Sequence, residues 1–409
     1  MIAALAQGPS FLSNFSSSQD CASTLKCLQA LGVGVSPEEK GVRIDGKGLK
    51  GLSEAVSVLD CGNSGSTMRM LAGVLAGQSF ASELTGDKSL LSRPMQRIIE
   101  PLELMGAQVD SVEGKPPIRI SRSEPLRAIR YTTPVASAQV KSCILLAGLN
   151  AVGSTTVMEN VNTRDHTERM LGWFEVPISI QEDSAGRTEV SLAGETAFAG
   201  REVSIPGDIS SAAFLIAAGV LLPDSKLEIQ AVGLNPTRTQ FLAVLESLGA
   251  QITFQDVQEV CREPVGNLIV QGGLDLTSSE TRHLSGAAIA QLIDELPLLA
   301  VVGSQLPGGL IIRDAAELRV KESDRLATTV SNLRAMGADV EEYSDGLAVG
   351  GRTRLRGALL DSHGDHRIAM AFAIAALMAE GDSEILGSEC VAVSFPNFFQ
   401  LLESLSVPD

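Results

Sequence analysis

The sequence has few aromatic residues, which make up 4% of its 409 residues and include one Trp and two Tyr. Binding of single-stranded nucleic acid relies on aromatic stacking platforms, so this scarcity argues against it. The net charge of −17 argues against nucleic acid and anionic membranes as partners, because both require a basic face. Any anionic substrate therefore requires positive charge that is concentrated locally.

Paired cysteines and long apolar runs are also missing. The cysteines are scattered with no C-x-x-C pair, which indicates reduced thiols rather than a disulfide framework. The longest apolar run, Ile368 to Ala379, is too short to span a bilayer, and the N-terminus lacks the basic stretch of a signal peptide. His363 and His366 have no third ligand at a spacing suited to a metal. We therefore expect a cytoplasmic protein with no metal site.

A short pattern recurs along the chain. An amphipathic stretch with helical spacing ends at a Gly, which is typical of a helix C-terminus, and alternating or β-branched residues follow as in a strand. Strong copies are LQALGVGV (28–35), LELMGAQV (102–109), LESLGAQI (245–252) and LRAMGADV (333–340), and weaker ones lie at 170–180 and 401–407. The spacing predicts six compact strand-and-helix units, three in each half of an α/β protein.

A second repeat marks the boundary between the halves. Residues 203–219, VSIPGDISSAAFLIAAG, indicate a short strand, a Pro-Gly-Asp turn and an apolar helix. The opening MIAALAQG matches the later part of that segment, so we interpret the first unit as beginning within its helix. The predicted domains are residues 1–203 and 204–409.

Several segments of the first half place anion-binding groups near predicted helix starts. They are GNSGSTMRM (62–70), GDKSLLSRPMQR (86–97), ASAQVKSCILL (136–146) and NTRDHTER (162–169). Backbone N–H groups at a helix N-terminus attract anions, and Arg69 adds fixed charge. We expect Pro94 near the first helical position, amid Lys88, Arg93 and Arg97. Ser137 and Gln139 either bind a polyol or phosphate or merely cap a helix.

Three segments of the second half add carboxylates. They are IDELPLL (293–299), ELRVKESDR (317–325) and DSHGDHRIAM (361–370). Asp294 and Glu295 lie among apolar residues, which suits acid–base work, although a surface turn is the alternative. Helical spacing predicts that Lys321 and Arg325 share one face. With no Walker loop, Rossmann fingerprint or Ser-His-Asp pattern, the sequence favours chemistry without a cofactor on a small, multiply anionic substrate.

These segments, taken in order, resemble those of the EPSP synthase family of enolpyruvyl transferases. The matching stretches are GNSGSTMR, GDKSLLSRPM, SAQVKSCILLAGL, TRDHTE, IDELPLLA, LRVKESDR and GDHRIAMA, and the resemblance covers essentially the whole chain. It implies a two-domain inside-out barrel of six βαβαββ units, three per domain around a pseudo-threefold axis. It also implies an enzyme that transfers the enolpyruvyl group of phosphoenolpyruvate (PEP) to the 5-hydroxyl of shikimate 3-phosphate, on the route to chorismate and aromatic amino acids. The sequence carries no mark of oligomeric state, and we expect a monomer.

The resemblance also implies roles for individual residues. The residues for shikimate 3-phosphate are Ser137, Gln139, Arg164, Asp294 and Lys321. Those for PEP are Asn63, Gly65, Arg93, Gln139, Arg325 and Arg367. Asp294 is expected to accept the 5-hydroxyl proton, Glu322 to transfer a proton at the methylene carbon, and Lys321 to contact the ring oxygens. Gly65 is expected to line the PEP pocket, where its missing side chain also admits the inhibitor glyphosate.

The sequence departs from the family pattern in its opening segment. The family begins with P-G-D-K-S-x-S-x-R, whose Lys, Ser and Arg contact both substrates, and we expect activity to be impaired without it. Ala138 and Ser394 stand where one branch of the family has a phosphate-binding Ser and a PEP-binding Lys, which fits the other branch. The alternatives are a UDP-N-acetylglucosamine enolpyruvyl transferase, whose lid loop carries a Cys that 82–97 lacks, and a non-catalytic binding paralogue.

Overall fold

The computed structural model describes residues 1–121, 125–184, 187–274 and 276–405. Over these residues the chain divides into two units. Unit 1 comprises Met1–Ile205 and Val260–Glu263, and unit 2 comprises Pro206–Glu259 and Pro264–Asp409. Each unit encloses its own cluster of buried hydrophobic side chains.

Unit 1 alternates short strands with helices. Its helices are α1 (Ile2–Leu5), α2 (Gln19–Ala30), α3 (Gly65–Ala76), α4 (Lys88–Ser92), α5 (Gln96–Leu104), α6 (Ala138–Gly148) and α7 (His166–Trp173). Its strands are β1 (Gln7–Ser13), β2 (Gly34–Glu38), β3 (Gly41–Lys47), β4 (Leu59–Asp60), β5 (Ser82–Thr85), β6 (Val109–Val112), β7 (Lys115–Ile120), β8 (Arg130–Thr132), β9 (Ser154–Glu159), β10 (Ile178–Glu182), β11 (Thr188–Ala193) and β12 (Glu202–Ser204). The helix that the sequence predicts at the start is present as α1.

The three sheets of unit 1 share one topology. Their strand orders are β12-β1-β3-β2, β4-β5-β7-β6 and β8-β9-β11-β10. In each, the first two strands are parallel and the remaining pairs are antiparallel. In the first sheet the leading parallel strand is β12, which comes from the far end of the unit and pairs Phe11 with Glu202.

Unit 2 repeats the alternation. Its helices are α8 (Ile209–Leu221), α9 (Gln240–Ser247), α10 (Ala288–Leu292), α11 (Leu296–Gly303), α12 (Arg325–Ala335), α13 (His366–Leu377) and α14 (Phe398–Leu405), with 3-10 turns at Ala316–Val320 and Ser388–Val393. Its strands are β13 (Lys226–Gly233), β14 (Gln251–Val260), β15 (Glu263–Gln271), β16 (Arg282–Leu284), β17 (Leu310–Ile312), β18 (Val340–Tyr343), β19 (Gly346–Val349), β20 (Leu359–Asp361) and β21 (Glu384–Leu386).

The sheets of unit 2 are less uniform. The order β16-β17-β19-β18 repeats the topology of unit 1, whereas β13-β15-β14 has three strands and β20-β21 has two over the described residues. The predicted mixed α/β fold is confirmed, and so is the count of three sheet-and-helix repeats per unit in the described part of the chain. The arrangement of each unit around a pseudo-threefold axis stays a prediction.

The predicted helix–Gly–strand repeat is present in all four strong copies. The glycines that follow α2, α5, α9 and α12 all have positive φ, as a helix C-terminus of this kind requires: Gly32 (84°), Gly106 (100°), Gly249 (91°) and Gly337 (89°). In the weaker copy after α7, Glu175 takes this conformation with φ of 60°. The last copy begins within α14, and its residues 406–407 lie outside the described part of the chain.

Helices α3, α6, α8, α11 and α13 are buried along most of their length. Their sequences are apolar on nearly all sides, as expected for helices inside a core. Side-chain caps begin most of these helices: Ser64 for α3, Ser137 for α6, Asp208 for α8 and Asp365 for α13. Among the helices of the described residues, none combines the length and hydropathy needed to cross a bilayer.

Candidate active site

The N-terminus of α3 in unit 1 is surrounded by polar groups that hold one arginine. The Asn63 side chain donates from Nδ2 to Asp87 Oδ2 at 2.6 Å and accepts at Oδ1 from Arg93 Nη2 at 2.8 Å. Asp87 in turn accepts from the backbone N–H of Leu90 at 2.8 Å and so begins α4. Arg93 is only 6% exposed, and its guanidinium is therefore held in one place beside the helix terminus.

Two guanidinium groups converge on Gly65, the first residue of α3. A Cβ atom placed on Gly65 would lie 3.2 Å from Arg93 Nη1 and 3.3 Å from Arg69 Nη1. Two guanidinium groups beside a helix N-terminus concentrate positive charge, so the geometry favours anion binding. The local concentration of positive charge that an acidic chain needs is thus present here.

Arg69 links this cluster to α6. Its Nη1 donates to Gln139 Oε1 at 2.5 Å, and Gln139 Nε2 donates to Ser66 Oγ at 2.9 Å. Ser137 accepts from the backbone N–H of Val140 at 3.5 Å, so its side chain caps α6 in this structure. The sequence is compatible with Ser137 as a cap or as a ligand, and a Ser that caps a helix still has its O–H as a donor.

The two remaining predictions for unit 1 differ in outcome. Arg164 lies half-buried just before α7, next to a helix start as the sequence predicts. Pro94 is not the first residue of a helix, because α4 ends at Ser92 and α5 begins at Gln96 with Met95 as its N-cap. Pro94 instead occupies the short connection, where its carbonyl accepts from Arg69 Nη2 at 3.4 Å.

The centre of the unit 2 cluster is a buried arginine. Arg325, 1% exposed, donates from Nε to Asp365 Oδ2 at 2.7 Å and from Nη2 to Asp365 Oδ1 at 3.2 Å. Its Nη2 also contacts Glu322 Oε2 at 2.6 Å, and its Nη1 lies 3.3 Å from Asp294 Oδ1. Burial lowers the pKa of Arg325, but Asp365 and Glu322 outweigh burial and raise this pKa above its usual value. The guanidinium is therefore a permanent charge with a fixed orientation.

Asp294 is surrounded by three cations. Besides Arg325, Lys321 Nζ lies 3.8 Å from its Oδ1 and Arg367 Nη2 lies 3.8 Å from its Oδ2. Its side chain is 12% exposed, and the surface-turn alternative is therefore wrong. Burial lowers the pKa of Lys321, although Asp294 opposes the shift, so the ammonium is closer to neutrality than an exposed lysine.

One expectation for this cluster is wrong. Lys321 and Arg325 do not share a helix face, because a 3-10 turn ends at Val320 and α12 begins only at Arg325. The intervening residues form a bend, and Asp324 caps α12 by accepting from the N–H of Ala327 at 3.0 Å. The two cations still approach the same carboxylate, Asp294, but tertiary structure rather than helical spacing brings them there.

Arg367 is supported by Glu295 and by two residues that the sequence does not mark as site residues. Its Nη1 lies 3.6 Å from Glu295 Oε1, which also accepts from Ser210 Oγ and lies 3.8 Å from Arg238 Nη2. Ser210 and Arg238 come from α8 and from the loop before α9, so no local spacing signals their meeting. Burial and the neighbouring Arg367 lower the pKa of His366 to about 4, which keeps this residue neutral near pH 7.

Comparison with known proteins identifies the family. The sequence model of the family described as EPSP synthase (3-phosphoshikimate 1-carboxyvinyltransferase) matches residues 1–402. The 3-phosphoshikimate 1-carboxyvinyltransferase of Koribacter versatilis is 50% identical over 99% of this chain and 92% of that protein. The chain belongs to the EPSP synthase family.

Other members of the EPSP synthase family agree in sequence and structure. The 3-phosphoshikimate 1-carboxyvinyltransferase of Bacillus subtilis is 44% identical over 99% of this chain and 93% of that protein. A solved EPSP synthase from Acinetobacter baumannii has a TM-score of 0.84 and 38% identity, covering 98% of this chain and 91% of its own. The enolpyruvyl transferase NikO from Streptomyces tendae, at TM-score 0.76 and 16% identity over 99% and 91% of the two chains, shares the fold.

Proposed function

We propose that the chain transfers the enolpyruvyl group of PEP to the 5-hydroxyl of shikimate 3-phosphate, releasing phosphate. The observation that carries the proposal is full-length identity of 44–50% to proteins named for this reaction. The two clusters support it, because they supply fixed guanidinium groups for phosphate and carboxylate and carboxylates for proton transfer. We also take units 1 and 2 as the two enolpyruvyl-transferase domains predicted from the sequence.

Shikimate 3-phosphate is assigned to Ser137, Gln139 and Arg164 in unit 1. The Ser137 hydroxyl at the N-terminus of α6 and the Arg164 guanidinium supply donors for a phosphate, the second as a charge-assisted hydrogen bond. The Gln139 amide is already oriented by Arg69 and Ser66, so it offers donor and acceptor atoms in fixed positions to ring hydroxyls. In unit 2, Asp294 and Lys321 are assigned to the ring oxygens near the reacting hydroxyl.

PEP carries a phosphate and a carboxylate, and arginine binds both in a bidentate manner. Arg93 and Arg325 are the candidates with fixed orientation, since Asn63 holds the first and Asp365 holds the second. Arg367 is the third, and Gln139 adds amide hydrogen bonds. Gly65 leaves room for the anion between Arg93 and Arg69, and an ordinary side chain would fill that space.

The reaction needs proton transfers at the 5-hydroxyl oxygen and at C3, and no redox step. The oxygen of the 5-hydroxyl bonds to C2 of PEP while its proton passes to Asp294, and C3 receives a proton from Glu322. In the second step the C2–O bond to phosphate breaks, C3 loses a proton to Glu322, which regenerates the double bond, and the proton held by Asp294 leaves with the phosphate. Burial lowers the pKa of Lys321, because its ammonium is poorly solvated, and a cation in such a setting stabilises negative charge at the attacking oxygen more strongly than one in water.

Three further proposals accompany the reaction. Glyphosate, an anionic inhibitor, is proposed to occupy the PEP position beside Gly65. The protein is proposed to act as a monomer, which sedimentation velocity at several concentrations tests. It is proposed to be cytoplasmic, in keeping with six free thiols in the described residues.

The test is phosphate release by the purified 409-residue chain with shikimate 3-phosphate and PEP, with and without glyphosate. We expect release only when both substrates are present, competition of glyphosate with PEP, and a loss of at least about a hundredfold in Asp294→Asn. UDP-N-acetylglucosamine replaces shikimate 3-phosphate in a parallel assay. Turnover with that acceptor alone overturns the proposal, and binding of both substrates without release identifies a non-catalytic paralogue instead.

A further inference from the structure

A buried three-charge network in unit 1 lies outside the residues assigned to the reaction. Lys141 Nζ lies 2.7 Å from Glu159 Oε2 and 2.6 Å from Glu168 Oε1. The side chains of all three residues are no more than 2% exposed. Charged side chains are rarely buried this completely unless they are paired. Here one cation is paired with two acidic groups, and this imbalance demands an explanation.

The charges of this network do not balance if all three groups are ionised. Burial raises the pKa of Glu168, although Lys141 opposes the shift. Burial lowers the pKa of Lys141, but Glu168 and Glu159 together outweigh burial and raise this pKa above its usual value. Lys141 is therefore held as an ammonium, and the Glu168 carboxyl group retains its proton more readily than usual.

The network joins three segments of the chain that carry the proposed shikimate 3-phosphate residues. Lys141 lies in α6, one turn after Ser137 and two residues after Gln139. Glu159 ends β9, and its Oε1 accepts from the Thr163 hydroxyl, in the residue immediately before Arg164.

The third member ties the next helix to the same ammonium. Glu168 belongs to α7, which begins two residues after Arg164. A hydroxyl pair of Ser142 and Thr167, with oxygens 2.6 Å apart, adds a second link between α6 and α7. Residues 160–165 are therefore held at both ends to the helix that presents Ser137 and Gln139.

We propose that Lys141, Glu159, Thr163 and Glu168 act as positioning residues for shikimate 3-phosphate, fixing Arg164 relative to the N-terminal turn of α6. The inference rests on the proposed function. A buried ion pair is weak evidence for stability, because well-packed apolar residues often replace it without loss. What such a network supplies here is a single geometry for α6, the end of β9 and the start of α7.

The sharpest probe is Thr163→Val, because replacing Lys141 leaves two buried carboxylates without their cation and threatens folding. Thr163→Val removes only the hydroxyl that reaches Glu159. The matched control is Thr155→Val in β9, which is also buried and whose hydroxyl has no hydrogen-bond partner within the described part of the chain. Thr163→Ser is the conservative variant that restores the hydroxyl.

The readouts are the Kd of shikimate 3-phosphate from calorimetry without PEP, the KM of each substrate, kcat, and the melting temperature. For Thr163→Val we expect Kd and KM for shikimate 3-phosphate to rise roughly tenfold, with kcat and the KM for PEP within about twofold of the parent. Thr155→Val and Thr163→Ser are expected to match the parent.

Each contrary outcome has a distinct meaning. Equal substrate parameters in Thr163→Val and Thr155→Val overturn the positioning role, as does an equal loss for both substrates, which indicates general destabilisation. If the parent chain binds shikimate 3-phosphate and turns over, such a result refutes this inference alone. If the parent chain does not bind shikimate 3-phosphate, the proposed function fails as well.

Discussion

The buried pair of Arg325 and Asp365 predicts a large stability loss from a very small change. Asp365→Asn replaces one carboxylate oxygen with an NH2 group and preserves the size of the side chain. Asp365 is fully buried and accepts from Arg325, from Ser323 Oγ at 3.1 Å and from the N–H of Arg367 at 3.0 Å. Asn is as good an N-cap as Asp, so the start of α13 is preserved while the charge pairing is lost.

The magnitude follows from what remains around Arg325. Removing one partner of a buried ion pair costs about 3–5 kcal/mol, because the other charge is left uncompensated. Arg325 keeps Glu322 at 2.6 Å and Asp294 at 3.3 Å, so its charge is not abandoned. We therefore expect the lower end of the range, a loss of about 3 kcal/mol in the free energy of unfolding.

Urea unfolding followed by far-UV circular dichroism measures this loss, and Asp324→Asn is the matched control. Asp324 is also an Asp that caps a helix in unit 2 and pairs with an arginine, Arg319 at 2.8 Å. Its side chain is 39% exposed, so solvent screens the pair and we expect a loss below about 1 kcal/mol. Equal losses in the two variants would refute the reasoning, since burial would then make no difference.

Three other predictions follow from individual residues. Gly65→Ala places a Cβ against Arg93 and Arg69. We therefore expect the KM for PEP to rise by roughly tenfold and glyphosate inhibition to weaken, with an unchanged melting temperature. An unchanged KM refutes crowding at this position. His366 stays neutral when folded but protonates when unfolded, because its folded pKa is about 4. Lowering the pH from 7 to 4.5 should therefore reduce the free energy of unfolding by roughly 2 kcal/mol. Urea titrations should show a smaller dependence on pH in His366→Gln, and an unchanged dependence contradicts the prediction. Lys321→Met removes a poorly solvated ammonium, so it should lower kcat by roughly a hundredfold or more without lowering the melting temperature. A fall in both kcat and melting temperature contradicts a specific role of Lys321 in the reaction.

The sequence predicts those features that depend on neighbours along the chain. In each strong repeat copy the Gly that follows the helix, such as Gly106 with φ of 100°, adopts the conformation that this position requires. Asp365 begins α13 and Ser137 begins α6, as their places before apolar runs indicate. These features are local, because the hydrogen bonds that define them join residues only a few positions apart.

Partners that are distant in sequence escape prediction. Nothing in the segment 317–325 indicates that Arg325 pairs with a residue forty positions later, and helical spacing gives the wrong reason for its proximity to Lys321. Arg238 and Glu295 meet through Ser210 for the same non-local reason. The resemblance predicts which residues bind the substrates, whereas the ion pairs around those residues emerge only from the fold.

The strand β12 has a consequence for how unit 1 forms during synthesis. The first sheet is completed only when residues 202–204 pair with β1, and Asn14 Nδ2 reaches the carbonyl of Ile205, 191 positions away. A ribosome adding about 5–20 residues per second needs roughly ten seconds or more to make that segment available. Until then one edge of β1 has no partner from its own sheet and is open to pairing with another chain. The strand β1 is thus made long before its sheet is closed, and a chain arrested before β12 is exposed to aggregation through that edge.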